Sequence, residues 1–453
     1  VNALEYARQH RSRFEDELLD LLRIPSVSAV PEHREDVWRA AGWLSDHLAQ
    51  IGLRTEVIPV EGGHPLVYAE WLQAPGRPTV LCYGHYDVQP AEPLEEWTSP
   101  PFQPTRRGDD VVARGASDDK GQVFAILKAV EALLRGEGTL PVNVRLLIEG
   151  EEEIGSPAVT RWVPRHARRL ACDVVWVSDG QMFAPGVPTI VTGLRGLVYT
   201  EVEVRGASAD LHSGIHGGAV PNPLVALATI IAGLHDRRGR VAVPRFYAAV
   251  RDPSEDERAS WQRLPFREED YLRSLGLTAS VGEEGYSVLE RRWVRPTLDV
   301  HGVAGGWTGA GPKTVIPSRA TAKISMRLVP DQRARSVFRA FERRVRRLAP
   351  AGVTVQVREL AGSDPVVVDP SAPPVQAAVR VARQVWGAEP VFIREGGSVP
   401  IVTEFARVLK VPAVLCGFGL PDDNLHAPNE KFHLPNFHRG IETVIRWMQE
   451  VAG

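Results

Sequence analysis

Apolar positions along the chain follow two periods, and the places where they switch mark its organisation. Over residues 4–22, Leu4, Ala7, Phe14, Leu18, Leu21 and Leu22 fall near helical spacing, and Ile24-Pro25 predicts the end of that helix. A second helix is expected over 35–51, closed by Gly52. Short apolar runs bounded by turn residues follow: Leu66–Trp71, Thr79–Tyr83, Val142–Ile148 and Val174–Val177. A helical stretch over 119–135 lies among them. Strands alternating with helices predict an α/β layer with a mostly parallel sheet.

Near residue 190 the pattern changes. Thr200–Val204, Thr321–Leu328 and Val353–Val357 alternate polar and apolar residues, as strands with one wet face do. Helices are expected over 224–235 and Gln332–Leu348, and the block 251–292 is charged and rich in Glu, Arg and Trp. After Pro370 the α/β character returns, with a helix at 373–386 and an apolar run at Ala413–Gly417. The expected organisation is one α/β domain built from 1–190 and 370–453, interrupted by a smaller α+β domain over 191–369. Length agrees: 453 residues exceed the roughly 250–300 at which a single core stops growing.

Composition narrows the partners. Hydrophobic residues make up 43% and charged residues 24%, so a large core is available. A formal net charge of -3, from nearly balanced acids and bases, argues against a nucleic-acid partner. No uncharged apolar run approaches the roughly 20 residues of a membrane helix, and the N-terminal segment lacks an apolar signal core. A cytoplasmic protein with no membrane partner is the expectation. Cys82, Cys172 and Cys416 are odd in number and widely spaced, which gives no disulfide framework; each reads as a small buried hydrophobe.

Candidate chemistry sits just after apolar runs. Thr79–Tyr83 leads into Gly84-His85-Tyr86-Asp87, Val142–Ile148 into Glu149-Gly150-Glu151-Glu152-Glu153, and Val174–Val177 into Ser178-Asp179. The run near 413–417 leads through a Gly/Asp/Asn loop to His426. In open α/β sheets ligands bind outside the carboxyl ends of strands, so these side chains can converge on one crevice. Imidazole with carboxylate suits zinc, with manganese or cobalt as alternatives. A carboxylate between two sites can bridge two ions, and a general base must stand apart from the ligands. Each piece alone has an ordinary reading. Asp87 can be a loop residue, the acidic run a solvated turn, and Asp118-Asp119 the cap of the helix that follows.

Taken together, the segments resemble the M20 family of metallopeptidases. YGHYDVQP (83–90), ARGASDDKG (113–121), IEGEEEIGS (148–156) and VSDG (177–180) carry the resemblance. LHSG (211–214), KTVIP (313–317), MRLVP (326–330), REGGSVP (394–400) and HAPNEKF (426–432) extend it, and the later segments are most similar to the carnosinase-like, cytosolic non-specific dipeptidase branch. The resemblance implies a dinuclear hydrolase of broad dipeptide specificity, or alternatively an N-acyl amino acid amidohydrolase. It implies two divalent ions, zinc first: His85 and Asp179 on one, Glu153 and His426 on the other, Asp118 bridging both. Asp87 would orient His85, and Glu152 would act as the base toward a water bridging the metals. The interrupting domain would be a lid that forms a homodimer, with His212 stabilising the oxyanion in a neighbouring subunit's site. Arg327 would bind the substrate's terminal carboxylate, and Thr314, Gly396, Gly397 and Ser398 would contact substrate. Aspartate at 179 accompanies dipeptidase action in such enzymes.

Overall fold

The computed structural model describes residues 2–397 and 399–453. The chain forms two compact units. The first comprises residues up to Thr192, Val368–Ile393 and Val399–Gly453; the second comprises Gly193–Val367 with the short segment from Arg394.

The first unit is built on a six-stranded sheet in the order Arg54–Ile58, Leu66–Trp71, Asn143–Glu149, Thr79–His85, Val174–Val177, Ala413–Leu415. The last four strands are parallel, and the first two join antiparallel at one edge. Thr79–His85 is buried from Val80 onward, as a central strand covered on both faces must be. The helix Lys120–Glu137 is buried without interruption from Lys120 to Leu133. It packs against Leu434–Val451 and the first helix, Ala3–Gln9. Gly84 allows this helix to start close to the strand end. A Cβ there would lie 2.7 Å from Asp119 Oδ2 and 2.7 Å from Val123 Cγ2.

The N-terminal segment departs from expectation. One helix over 4–22 is in fact two, Ala3–Gln9 and Arg11–Leu22. The break falls at His10, whose Nδ1 donates to the Tyr6 carbonyl at 2.8 Å while its ring stacks on Tyr6 at 4.0 Å. His10 itself leaves the helical region, at φ -107° and ψ 17°, although its N–H still reaches the Tyr6 carbonyl at 3.1 Å. Cys82 and Cys416 are buried, but Cys172 is only half-buried; all three are free thiols.

The second unit is a four-stranded antiparallel sheet in the order Thr297–Gly305, Arg319–Leu328, Gly196–Arg205, Thr354–Ser363. Its apolar face presents Val198, Val202, Ile324 and Met326 to Leu227, Ile230, Phe341 and Val345 of the helices Pro223–Ala232 and Ala334–Leu348. Alternation underestimates these strands. Gly196–Arg205 starts before Thr200, and Thr354–Ser363 runs well past Val357, because pairing with neighbours continues where side-chain alternation lapses. The charged block folds into three short helices, Glu255–Gln262, Glu268–Ser274 and Val288–Trp293. Trp261 meets Trp293 edge to face at 5.5 Å, and Arg258–Glu290 (2.7 Å) and Arg295–Glu283 (2.8 Å) tie the block together. No helix among the described residues is long and apolar enough to cross a membrane.

Replacing Gly84 by alanine should lower unfolding free energy by about 1–3 kcal/mol, since the added methyl overpacks a rigid strand–helix junction. Urea denaturation of the metal-free protein measures this; an unchanged midpoint would show that the junction yields.

Candidate metal centre

Four strand ends of the first unit deliver side chains to one place. His85 closes the strand Thr79–His85 and is fully buried. Its Nδ1 lies 3.0 Å from the Asp87 carbonyl oxygen and 3.2 Å from Asp87 Oδ1. That fixes the ring, leaving Nε2 3.0 Å from Asp118 Oδ1 and 3.8 Å from Asp179 Oδ2. Asp87 also accepts the backbone N–H groups of Glu152 and Glu153 at 3.2 Å each. One buried carboxylate therefore joins two strand ends.

Asp118 turns its second oxygen elsewhere. Oδ2 is 2.9 Å from His426 Nε2, which in turn is 3.2 Å from Glu153 Oε2. Two donor sets result, His85–Asp118–Asp179 and Asp118–Glu153–His426, each with donor atoms within 4.8 Å of one another. Donors around one tetrahedral zinc at 2.0–2.2 Å stand about 3.4 Å apart, so both sets fit a cation with small adjustments. Glu152 stands beside them, 4.0 Å from His85 Nε2.

The acidic run splits into two kinds of residue. Glu149 is buried and accepts from Tyr83 Oη at 2.6 Å and Ser156 Oγ at 2.8 Å. Glu151 is buried and accepts from the backbone of His64 (2.7 Å) and Ala158 (2.8 Å). Only Glu152 and Glu153 face the donor sets. Gly150, between Glu149 and Glu151, is required because a Cβ would sit 2.5 Å from Tyr86 Oη, which donates to the Pro65 carbonyl. Asp119 occupies the position before the helix Lys120–Glu137 but makes no side-chain cap; its Oδ2 accepts the His85 N–H at 3.2 Å instead.

Charge is crowded here. Burial opposes a proton on His85, yet Asp118 and Asp87 overcome that and raise its pKa well above the imidazole range. Hydrogen bonds from Asp118 and Glu153 carry His426 up to about 10, while Asp118 is held well below the carboxylate range against its burial by the two imidazoles. Burial, with repulsion from neighbouring acids, pushes Asp179 up to about 7, and raises Glu152 and Glu153. An excess of buried carboxylates over positive groups is the electrostatic signature of a cation site. A third donor set, Glu17–His47–Glu131, is already filled by the chain itself. Lys128 Nζ lies 2.7 Å from His47 Nε2 and 2.7 Å from Glu131, and also pairs with Glu17.

Two positioning groups went unnoticed in the sequence. Glu430 is buried and accepts from Arg114 Nη1 (2.8 Å) and the backbone N–H groups of Gly115 (2.9 Å), Ser117 (3.0 Å) and Asp118 (3.0 Å). Asp423 is buried and accepts from Ser117 Oγ at 2.7 Å. The only signal available was their position flanking His426 in the segment Asp423–Glu430.

The remaining candidates lie in the second unit. His212 and Thr314 come together on a two-stranded ribbon in which His212 pairs with Val315 and the Ser213 N–H donates to the Thr314 carbonyl at 3.0 Å. His212 is exposed, with Nδ1 accepting from the Gly214 N–H. Arg327 pairs in register with Leu197 and Thr297, and burial lowers its pKa. Arg195 Nε donates to the Gly396 carbonyl at 3.1 Å, and Gly397 is exposed. Ser398 lies outside the described residues.

Comparison with known proteins gives a consistent picture. Residues 81–450 match the model of peptidase family M20/M25/M40. The Cys-Gly metallodipeptidase DUG1 of Candida albicans is 32% identical, with 96% of this chain and 93% of that protein covered. The Beta-Ala-His dipeptidase of Homo sapiens is 31% identical, covering 99% and 92%. Among solved structures, the M20 family metallo-carboxypeptidase Sso-CP2 from Sulfolobus solfataricus superposes with a TM-score of 0.89 at 34% identity, covering 97% and 99%.

Cation binding should release protons, since ligands bind only when deprotonated. At pH 6 both His426 and Asp179 hold protons without cations; at pH 8 Asp179, near 7, has lost its proton and His426, near 10, has not. Zinc titration calorimetry in buffers of different ionisation enthalpy should therefore register more protons released at pH 6 than at pH 8. Equal release at both would contradict this electrostatic account.

Proposed function

We infer that this chain, which belongs to peptidase family M20/M25/M40 and is therefore a hydrolase, cleaves the peptide bond of dipeptides at a centre of two divalent cations. The observation that carries this reading is Asp118, whose two oxygens each face a different imidazole. His85 and Asp179 would hold one cation and Glu153 and His426 the other, with Asp118 shared. The donor set suits zinc first, and manganese or cobalt after it. Such a pair, when bound, polarises a carbonyl and makes water nucleophilic near neutral pH.

The chain's own residues supply the rest. Asp87 holds His85 Nδ1, so that Nε2, on losing its proton, would offer its lone pair to a cation beside Asp118 and Asp179. Glu152 takes the proton of the attacking water on its carboxylate and returns it to the leaving amine nitrogen. Burial raises the Glu152 carboxyl well above the usual carboxylate range, which favours its holding the proton between the two transfers. Arg327 would take the substrate's terminal carboxylate through its guanidinium fork, with Thr314, Ser398 and the backbone at Gly396-Gly397 as further contacts. The second unit would serve as lid and as the interface of a homodimer, His212 stabilising the oxyanion from the neighbouring subunit.

Two relatives named for dipeptide hydrolysis support dipeptides as substrates, and the likeness to a metallo-carboxypeptidase makes longer peptides the second reading. A panel of dipeptides, tripeptides and N-acyl amino acids, each assayed with zinc, manganese and cobalt, separates them. Hydrolysis confined to N-acyl amino acids would overturn the peptidase reading.

Glu152→Ala should retain both cations by elemental analysis and lose about 10²–10⁴-fold in kcat, the contribution typical of a general base. Near wild-type turnover in that variant would exclude Glu152 as the base. If His212 acts across a dimer, mixing Glu152→Ala chains with His212→Ala chains should restore part of the activity. A verified mixed dimer with none restored would place the action of His212 within its own chain or nowhere.

A further inference from the structure

The two imidazoles of the metal centre are held by different means. His85 is oriented through its ring, since Asp87 engages Nδ1 and the residue is fully buried. His426 has no comparable partner among the described residues: its Nε2 faces Asp118 and Glu153, and its side chain is 54% exposed. A ligand histidine ordinarily donates its other ring N–H to a group that fixes its orientation. Something else must place His426.

The loop that carries it is anchored at both ends by buried carboxylates. Asp423 binds Ser117 Oγ and the Leu420 N–H, each at 2.7 Å. Glu430 gathers Arg114 and the N–H groups of Gly115, Ser117 and Asp118. Both anchors therefore fasten to the segment Arg114–Asp118, which itself carries Asp118. The separation of His426 from Asp118 is set through backbone held by these two acids.

We propose that Glu430 and Asp423 are positioning residues for His426, and that losing them weakens the cation on the His426 side more than its neighbour, which shares with that side only Asp118. This rests on the reading that the centre holds two cations. Asp87 is the counterpart for the His85 side. The centre thus has two halves joined at Asp118, one held through a ring and one through a loop.

Zinc titration of the metal-free protein tests this, alongside the melting temperature of each metal-free chain. Wild type should take two ions. Glu430→Gln should weaken the His426-side ion about 10–100-fold, the usual cost of losing an outer partner, and the other by clearly less, since the two share only Asp118. Ser117→Ala, which cuts the Asp423 anchor with no change of charge, should weaken the same ion by less. Asp87→Asn should weaken the other ion. Competition between His426→Ala and each variant identifies which ion is affected, because Glu430→Gln should add little to His426→Ala. Wild-type affinity for both ions in Glu430→Gln and Ser117→Ala would overturn the proposal, as would parallel weakening of both ions with falling melting temperature. A wild-type protein that takes fewer than two ions would remove the two-cation reading and this proposal with it.

Discussion

Asp118, Glu152, Glu153 and Asp179, each only partly exposed, crowd against the buried His85 and the exposed His426, and like charges so placed repel strongly. The local fold can be read as the means of keeping them there. Backbone N–H groups are aimed at the carboxylates that lie just behind the donor sets, two at Asp87 and three at Glu430, and Arg114 adds a charge to the latter. Those outer acids are satisfied inside the protein. The inner ones outnumber the two imidazoles they meet, an imbalance that divalent cations would relieve.

That demand reaches into the backbone. Strand ends can converge only if chain passes close to chain, and glycines stand at the closest approaches. Gly84 admits Asp119 and Val123, Gly150 admits Tyr86, and at Gly417 a Cβ would lie 2.2 Å from Gly180 beside Asp179. The buried Lys120 contributes from another direction. Its Nζ donates to the carbonyls of Leu21 and Ile24 at 3.2 and 2.6 Å, tying the end of an N-terminal helix to the helix that begins after Asp118-Asp119. Packing, polarity and candidate chemistry are therefore coupled within a few residues of each strand end.

This coupling explains what was legible in the sequence. His85, Glu153 and Asp179 could be singled out because apolar runs end just before them, and a run of that kind marks a buried strand. The parallel sheet followed from the same runs. The division of labour within Glu149–Glu153 was not legible from residue type, since all four acids look alike; it depends on which way each points after the strand ends. Asp423 and Glu430 were missed because an acid that accepts backbone N–H groups leaves no periodic trace. The break at His10 was missed for a related reason, since one residue leaves the helical region while the apolar spacing runs on unbroken. Strand ends in the second unit were misjudged because ladder pairing outlasts alternation.

The exposed half of the centre shows how the chain can hold an open ligand in place. His426 has φ +60°, and Asn424 and Asn429 nearby also have left-handed backbones, at +55° and +62°. Such conformations are uncommon outside glycine, and asparagine tolerates them best. Their cost is offset locally. Asn429 accepts from the Thr98 N–H and hydroxyl at 2.8 and 2.6 Å and donates to the Glu96 carbonyl at 2.9 Å. A tightly turned loop pinned in this way can present an imidazole to solvent without burying it. A centre closed on every side would hold cations but admit no peptide. With His85 sealed in the core and His426 displayed on a braced loop, one side of the donor cluster is closed and the other faces solvent.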